Sequence, residues 1–543
     1  MNNILRKTRD FILTQQTGII SSTVVIASML LLARFFGFLQ SRILNSYFTA
    51  GQLDTYYAAF RIPDFVFELL ITGALTTTFI PFYLKYARNP EKQNELVVSI
   101  LNIILIALVI AIALLTMLIS PLLHLLAPGF DPQKLDTVTR LAQMLLIGQM
   151  PFMVLGNFFM GISQARKSFL LPAIAPVLYS ISVVVATILF APVYGMMAVV
   201  VGIMCGSVIF LLTQMLILSK VKIEYLPKIT HVKETIQFFR TSVPRMFTVF
   251  MAQIEVSVDM SLASMLVQGS YTIFNYAQRL QFLPVSILGM AFGQASLPYI
   301  SEMYENNKIS ELRTVIVDSI NNLFFITIPF AGFFIVMRTP LVRLIYGGAK
   351  FDWNATVLTA VTMSYFCFSL PFHSAYYFLT RCFYAVSDSK TPFIVSIISI
   401  LFNTISSYVV IAIYHQPVWA LGVTFSITIT IQVIILFIIF YHRIKGLNLI
   451  VIIKELAKVA IAGGLATIIT FDARRVLDGL IFDTSRTLNL FSLTLTCFLI
   501  MIVTYVFACW TLDSRGLYLV GRAVLHLKRI RQQVVELFVG VQT

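Results

Sequence analysis

From Leu96 to Phe130 the chain carries no Asp, Glu, Lys or Arg, and comparable apolar runs recur along its whole length. A stretch of about 18 apolar residues is long enough to cross the hydrocarbon core as a helix, and it has no polar face to offer water. Most of this chain must therefore fold with lipid as its solvent. The composition agrees, with 58% hydrophobic residues, only 12% charged residues and a mean hydropathy of +0.88. Soluble domains average roughly 25% charged residues. A closed β-barrel would show short alternating segments, and these are absent.

The runs place about fourteen transmembrane helices in an all-α polytopic membrane protein. The first six fall near 19–40, 60–83, 96–119, 141–163, 169–191 and 196–218. Six more fall near 242–267, 271–299, 314–337, 356–383, 391–413 and 419–441, and two near 452–471 and 489–511. In 512–543, Leu519, Ala523, Leu527, Ile530, Val534 and Phe538 recur at helical spacing beside Arg522, Lys528, Arg529 and Arg531, which predicts a basic amphipathic helix on the membrane surface. The first run follows Arg6, Lys7, Arg9 and Asp10 without a small-residue cleavage site, so it reads as an uncleaved helix.

The net charge of +15 does not mark a nucleic-acid binder, because the basic residues are scattered through short connections. With alternating spans, one side collects a roughly three-fold excess of Lys and Arg, and that side holds both termini; it is assigned to the cytoplasm. The cysteines, Cys205, Cys367, Cys382, Cys497 and Cys509, lie in or beside apolar runs without a C-x-x-C pair, which excludes a disulfide framework and a zinc site and predicts buried apolar side chains.

The chain also repeats itself. Pro81 recurs as Pro298, Pro121 as Pro340, Pro151 as Pro371 and Pro172 as Pro392, all at a nearly constant offset. The offset spans six helices, an even number, so both copies have the same orientation and form a parallel repeat. The predicted organisation is a first lobe at 1–225, a second at 226–445, two additional helices at 446–511 and the tail at 512–543. Two parallel lobes are a scaffold for alternating access.

Charges inside such a membrane domain are costly and mark function. Arg34 and Arg42 fall on the first span, Arg61, Asp64 and Glu68 on the second, and Arg279 on the eighth. Arg61 and Arg279 occupy repeat-equivalent spans, which would let them face a shared cavity. Guanidinium groups there suit a diphosphate, which they grip through paired hydrogen bonds. Glu255 and Asp259 share one helical face and would pair with arginines, carry protons or bind a cation. Asn403 would supply an amide oxygen to such a site. His373 is expected to be a core histidine. No Walker loop, nucleophile–base pair or metal cluster is present, so transport would draw on ion gradients, the membrane potential or the substrate's own gradient.

The residues that carry these charges lie in ARFFGFLQSRIL (33–44), LDTYYAAFRIPDFVFELLITGALTTTFIPFY (53–83), LLAPGF (125–130), NYAQRLQFLPVSILGMAFGQASLPYIS (275–301) and RLIYGGAKFD (343–352). In these motifs, and over nearly its whole length, the chain resembles the MurJ (MviN) family of lipid II flippases, in the multidrug/oligosaccharidyl-lipid/polysaccharide exporter superfamily. The resemblance implies a bacterial plasma-membrane protein that exports lipid-linked peptidoglycan precursor for the cell wall. It implies diphosphate contacts at Arg34, Arg279 and Arg61, with Arg42 as a further candidate, and a gating or ion-pair role for Asp54; Glu68 and Glu255, from their positions on spans, are candidates for the same role. It also implies a candidate sodium site near Asp259 and Asn403, with Ser407 standing where another acid or amide is expected, and no other cofactor. The chain departs from the family pattern at Gln40 and Phe67, where arginines are expected, at Thr72, and at Gln278. Export of another polyprenyl-diphosphate glycan, or ion-coupled drug export, are the alternatives. A non-transporting scaffold would act through the basic tail. An enzyme is disfavoured, since no large hydrophilic loop could hold a donor substrate.

Overall fold

Lipid offers no hydrogen bonds to a backbone, so apolar runs of this length must satisfy their amides within helices. The computed structural model describes residues 19–518, except Lys167, Phe169, Lys220 and Lys222, and these described residues contain helices and turns but no β-strand. In chain order, α1 is Ile19–Tyr47; α2 is Ala50–Phe67, which continues through a π-helical segment, Glu68–Leu75, into α3, Thr76–Lys85; α4 is Pro90–Leu126. Then come α5 (Pro132–Gly148), α6 (Met150–Ala165), α7 (Leu170–Tyr194), α8 (Met196–Met215) and α9 (Val232–Ser264). The second π segment, Val285–Met290, joins α10 (Ser270–Pro284) to α11 (Ala291–Glu305). The remaining helices are α12 (Ile309–Val336), α13 (Arg338–Tyr346), α14 (Trp353–Phe368), α15 (Leu370–Ala385), α16 (Lys390–Tyr408), α17 (Trp419–Ile444), α18 (Leu449–Leu480) and α19 (Thr487–Thr511).

Eight helical stretches are long and apolar enough to span a bilayer, and two bent pairs, α5–α6 and α14–α15, bring the number to ten among the described residues. The other four expected spans coincide with long helical stretches at α1, α2–α3, α9 and α18, each of which carries two or more charged residues. The terminal segment 1–18 and the amphipathic tail from 519 onward lie outside the described residues.

The internal repeat recurs in backbone geometry. Two of the three π segments among the described residues begin at Glu68 and Val285, which are separated along the chain by the same interval as Pro81 and Pro298; the third, Val409–Ile413, continues α16. The bends in the α5–α6 and α14–α15 pairs, 40° and 46°, centre on Gln149 and Ser369, which are separated by the same interval as Pro151 and Pro371. Each bend has Pro151 or Pro371 in the first turn that follows, where a missing amide and a ring clash prevent a straight helix.

The described residues group into two units. One comprises residues up to Asn275 with Ile345–Thr356, and the other Tyr276–Leu344 with the chain from Val357. The sequence boundary at 225/226 follows the repeat, whereas packing groups α9 with the first unit, where it lies against the first π segment and α4. In the first unit α7 and α8 approach closely because Gly202 and Gly206 leave room; a Cβ on Gly202 would come within 2.5 Å of the Ala186 Cβ. In the second unit, Phe378, Phe383, Leu436 and Phe440 join α15 and α17 in one core cluster, while Phe333, Val459, Ala466 and Met501 join α12, α18 and α19 in another. Four cysteines are buried as expected, but Cys205 is exposed. An apolar residue on an outer helix face has lipid, not protein, as its neighbour.

Candidate functional site

The first unit holds a buried carboxylate at the start of α2. Asp54 is 2% exposed, and a charge this buried persists only when its oxygens are fully bonded. Its Oδ2 accepts from Gly269 N at 2.7 Å and from Lys134 Nζ at 3.2 Å. Its Oδ1 accepts from Thr272 N and Thr272 Oγ1, both at 2.8 Å. The two amides open α10, so Asp54 caps a helix 215 or more residues away, where the helix dipole favours an anion. Lys134 sits in the first turn of α5, capped by Asp131, with its ammonium 3.9 Å from the centre of the Phe130 ring.

Further contacts tie the same end of this unit. Gly129 N donates to Ser264 Oγ at 3.2 Å. Asn45 Nδ2 donates to Tyr346 O at 2.8 Å, and Lys350 N donates to Asn45 O at 3.0 Å. Residues 265–272 and 346–350 belong to the second sequence repeat, and Asn45, Asp54, Gly129 and Lys134 to the first. The unit is thus stapled by contacts between the two repeats.

Seven residues beyond Asp54, Arg61 is half-buried and held by α9. Its Nε donates to Ser257 Oγ at 3.0 Å, and its Nη2 reaches Gln253 O at 2.6 Å, Gln253 Oε1 at 3.0 Å and Ser257 Oγ at 2.8 Å. Every partner is a neutral oxygen. These oxygens orient the guanidinium, the Asp64 and Glu68 carboxylates are near enough to act on it through charge, and its Nη1 has no hydrogen-bond partner among the described residues. Gln253 and Ser257 are one turn apart on α9. Glu255 and Asp259 occupy a different face of that helix, two residues or roughly 200° round.

The other candidate residues are distributed as follows. Arg34 is exposed and Arg42 half-buried on α1; Glu68 is half-buried at the first position of the π segment. Glu255 is half-buried, and Asp259 is 1% exposed. These lie in the first unit, whereas Arg279, exposed on α10, lies in the second. Of the proposed cation ligands, Asn403 and Ser407 come together on α16 against α17: Thr428 Oγ1 donates to Asn403 Oδ1 at 3.4 Å, and Ser407 Oγ and Thr424 Oγ1 are 2.8 Å apart. Asp259 belongs to the other unit. His373 is a core residue, stacked on Tyr377 at 5.4 Å, edge-on to Phe425 and 3.4 Å from Gln281 Nε2.

Sequence reasoning missed two features. Gln253 and Ser257, which position Arg61, carry no charge to distinguish them, although their four-residue spacing on a spanning helix is visible in retrospect. Arg381 lies within the expected tenth span; on α15 it is half-buried, 5.5 Å from the Tyr384 ring centre and packed over Gly293. A guanidinium inside a predicted span was the available signal.

Comparison with known proteins gives a consistent result. A family model described as "Lipid II flippase MurJ" matches residues 44–483. A protein of Bdellovibrio bacteriovorus named "probable lipid II flippase MurJ" is 25% identical over 510 residues, covering 90% of this chain and 95% of its own length. One of Burkholderia cenocepacia, named "lipid II flippase MurJ", is 25% identical over 421 residues, covering 74% and 80%. Among solved structures, a lipid II flippase MurJ in an inward closed conformation aligns with a TM-score of 0.73 at 22% identity, over 88% of this chain and 98% of that one. An inward-facing transporter of the multidrug MATE family aligns with a TM-score of 0.66 at 16% identity, over 78% and 98%. At these identities the structural matches establish the fold.

Proposed function

Because the chain belongs to the MurJ family of lipid II flippases, we propose that it carries lipid II, the polyprenyl-diphosphate-linked peptidoglycan precursor, from the inner to the outer face of the bacterial plasma membrane. The single observation that carries this reading is Arg61. A guanidinium at membrane depth costs about 2.5–3.5 kcal/mol even on lenient scales. Here the charge is retained and aimed by Gln253 and Ser257 while no carboxylate hydrogen-bonds to it. A fixed positive centre with an open pair of donors suits a diphosphate and offers nothing to a neutral or cationic solute.

In this mechanism Arg34, Arg42, Arg61 and Arg279 share the diphosphate charge, and Arg381 is a further candidate. The Asp54 staple closes one end of the path, and its release opens that end. The excess of basic residues on one face assigns both termini to the cytoplasm, which puts the staple on the outer side. The drive is an ion gradient or the membrane potential, with Asp259, Asn403 and Ser407 as candidate sodium ligands.

The test is complementation of a bacterium depleted of its own MurJ. The wild-type chain should restore growth, and Arg34→Ala and Arg279→Ala should reach the membrane without restoring it. Full rescue by either variant would remove these residues from the site. Gln40 and Phe67, at positions where the family places arginines, favour a second reading: a different polyprenyl-diphosphate glycan as cargo. Failure of the well-expressed wild-type chain to rescue would select that reading.

A further inference from the structure

The linker between the sequence repeats is not a free tether. Asn94 Nδ2 donates to Glu224 O at 3.1 Å, and Asn102 Nδ2 donates to Leu226 O at 2.9 Å and Lys228 O at 3.0 Å. Glu95 meets His231 at 2.6 Å, and Lys92 meets Glu234 at 2.8 Å. The described part of 219–234 is thereby strapped along the first turns of α4, and a cavity of about 170 Å³ remains between the strap, α4 and the end of α6.

The polar part of the lining is built around Arg166. Its Nε donates to Tyr83 Oη at 3.0 Å, and Gln93 Nε2 donates to Tyr83 O at 2.7 Å, so the guanidinium plane is set by a buried, anchored tyrosine. The terminal nitrogens of Arg166 have no partner among the described residues, and the residue is exposed. A second observation is independent of the charge. Asn94 also lines the cavity, and its Oδ1 is buried without a hydrogen-bond donor. The amide cannot be turned to remove the deficit, because its nitrogen is committed to Glu224 O. A buried acceptor without a donor is unfavourable and calls for a ligand or water to supply one. Val97 and Val221 make another part of the lining apolar.

An occupant that satisfies all three surfaces presents phosphate oxygens to Arg166, a hydroxyl to Asn94 and an apolar portion to the valines. We propose that this cavity is a binding site for a glycerophosphoryl group, a phosphate ester with a neighbouring hydroxyl. It is offered either by the head group of phosphatidylglycerol or by soluble glycerol phosphate. The site lies on the face that the basic-residue bias assigns to the cytoplasm. None of its lining residues is among the candidate diphosphate contacts, and its occupancy would hold the strap on α4.

The full chain, purified in detergent, is titrated with phosphatidylglycerol and with phosphatidylcholine, whose head group has phosphate but no donor, and retained lipid is read by native mass spectrometry. Phosphatidylglycerol should bind more tightly, and Arg166→Gln should weaken it about tenfold, as expected for loss of a charge-assisted hydrogen-bond pair. Tyr83→Phe, which preserves packing but frees the guanidinium, should weaken it several-fold. Arg88→Gln, an exposed charge outside the cavity, should leave it unchanged. Glycerol 3-phosphate alone is tested by thermal melting: stabilisation that Arg166→Gln abolishes identifies a soluble ligand, and binding of the lipid only identifies the membrane as the source. Equal retention of both lipids, or an unchanged affinity in Arg166→Gln, overturns the proposal.

Discussion

Replacing Asp54 by asparagine is nearly isosteric, yet the geometry makes it a severe change. Each carboxylate oxygen accepts from two donors, Gly269 N and Lys134 Nζ on one side and Thr272 N and Oγ1 on the other. A carboxamide keeps one oxygen, and its NH2 faces donors whichever way it turns. Breaking a buried ion pair costs about 3–5 kcal/mol. The Thr272 hydroxyl also donates to Ala50 O at 2.9 Å and can turn away, which points to the lower end of that range. At about 1.4 kcal/mol per tenfold, roughly 3 kcal/mol raises the open fraction of the staple about 10²-fold. Hydrogen exchange of the intact chain should therefore show Asp54→Asn accelerating the amides of 265–275 by about that factor, with α18 and α19 unaffected. Acceleration of less than about threefold would refute the idea that this carboxylate holds the end of the unit together.

Three further perturbations test the packing and the strap. A Cβ on Gly129 would collide with Ser264 O and the Met265 backbone, so Gly129→Ala should destabilise by about 1–3 kcal/mol. Gly464→Ala, in α18 with nothing within 4 Å of the new Cβ, should instead be neutral or slightly stabilising by thermal melting. The Lys92–Glu234 hydrogen bond lowers the glutamate below its ordinary 4.5 and raises the lysine above its ordinary 10.5. The depressed glutamate contributes fully above 4.5 and is lost as pH falls through its folded value. The raised lysine contributes fully below 10.5 and is lost as pH rises through its own. A double-mutant cycle with Lys92→Met and Glu234→Gln should show coupling at pH 7 that disappears on acidification well below 4.5 and weakens at high salt. Coupling that persists in acid would mean that packing, not charge, joins the pair.

The positions of most helices were legible because lipid favours a long apolar run at a crossing, and eight to ten stretches among the described residues meet that rule. The repeat was legible because prolines mark bends, and the same backbone events recur at the matching positions of the second copy. The charged candidates stood out because Arg34, Arg61 and Arg279 break apolar surroundings. What the sequence could not reveal is which oxygens receive them. Gln253 and Ser257 are 192 and 196 residues from Arg61, and neutral polar residues on a spanning helix are too common to single out. Asp54 was visible as an acid, but its role as a distant helix cap depends on two backbone amides, which every sequence possesses. The packing of α9 with the first unit likewise depends on side chains meeting across long separations, whereas the repeat reports only ancestry and orientation.

The first π segment also lets this helical run hold surplus chain without turning its ends. A π turn carries one residue more than the α-helical turn it replaces over about the same rotation, so the extra residue is absorbed within Glu68–Leu75. Deleting one residue there would let the turn revert to α winding and leave Arg61 facing Gln253 and Ser257. Deleting one residue from the regular winding of α2 just after Arg61 would instead swing its guanidinium by about 100° relative to Pro81 and away from both oxygens. The short segment is thus the place where this helix tolerates a change of length.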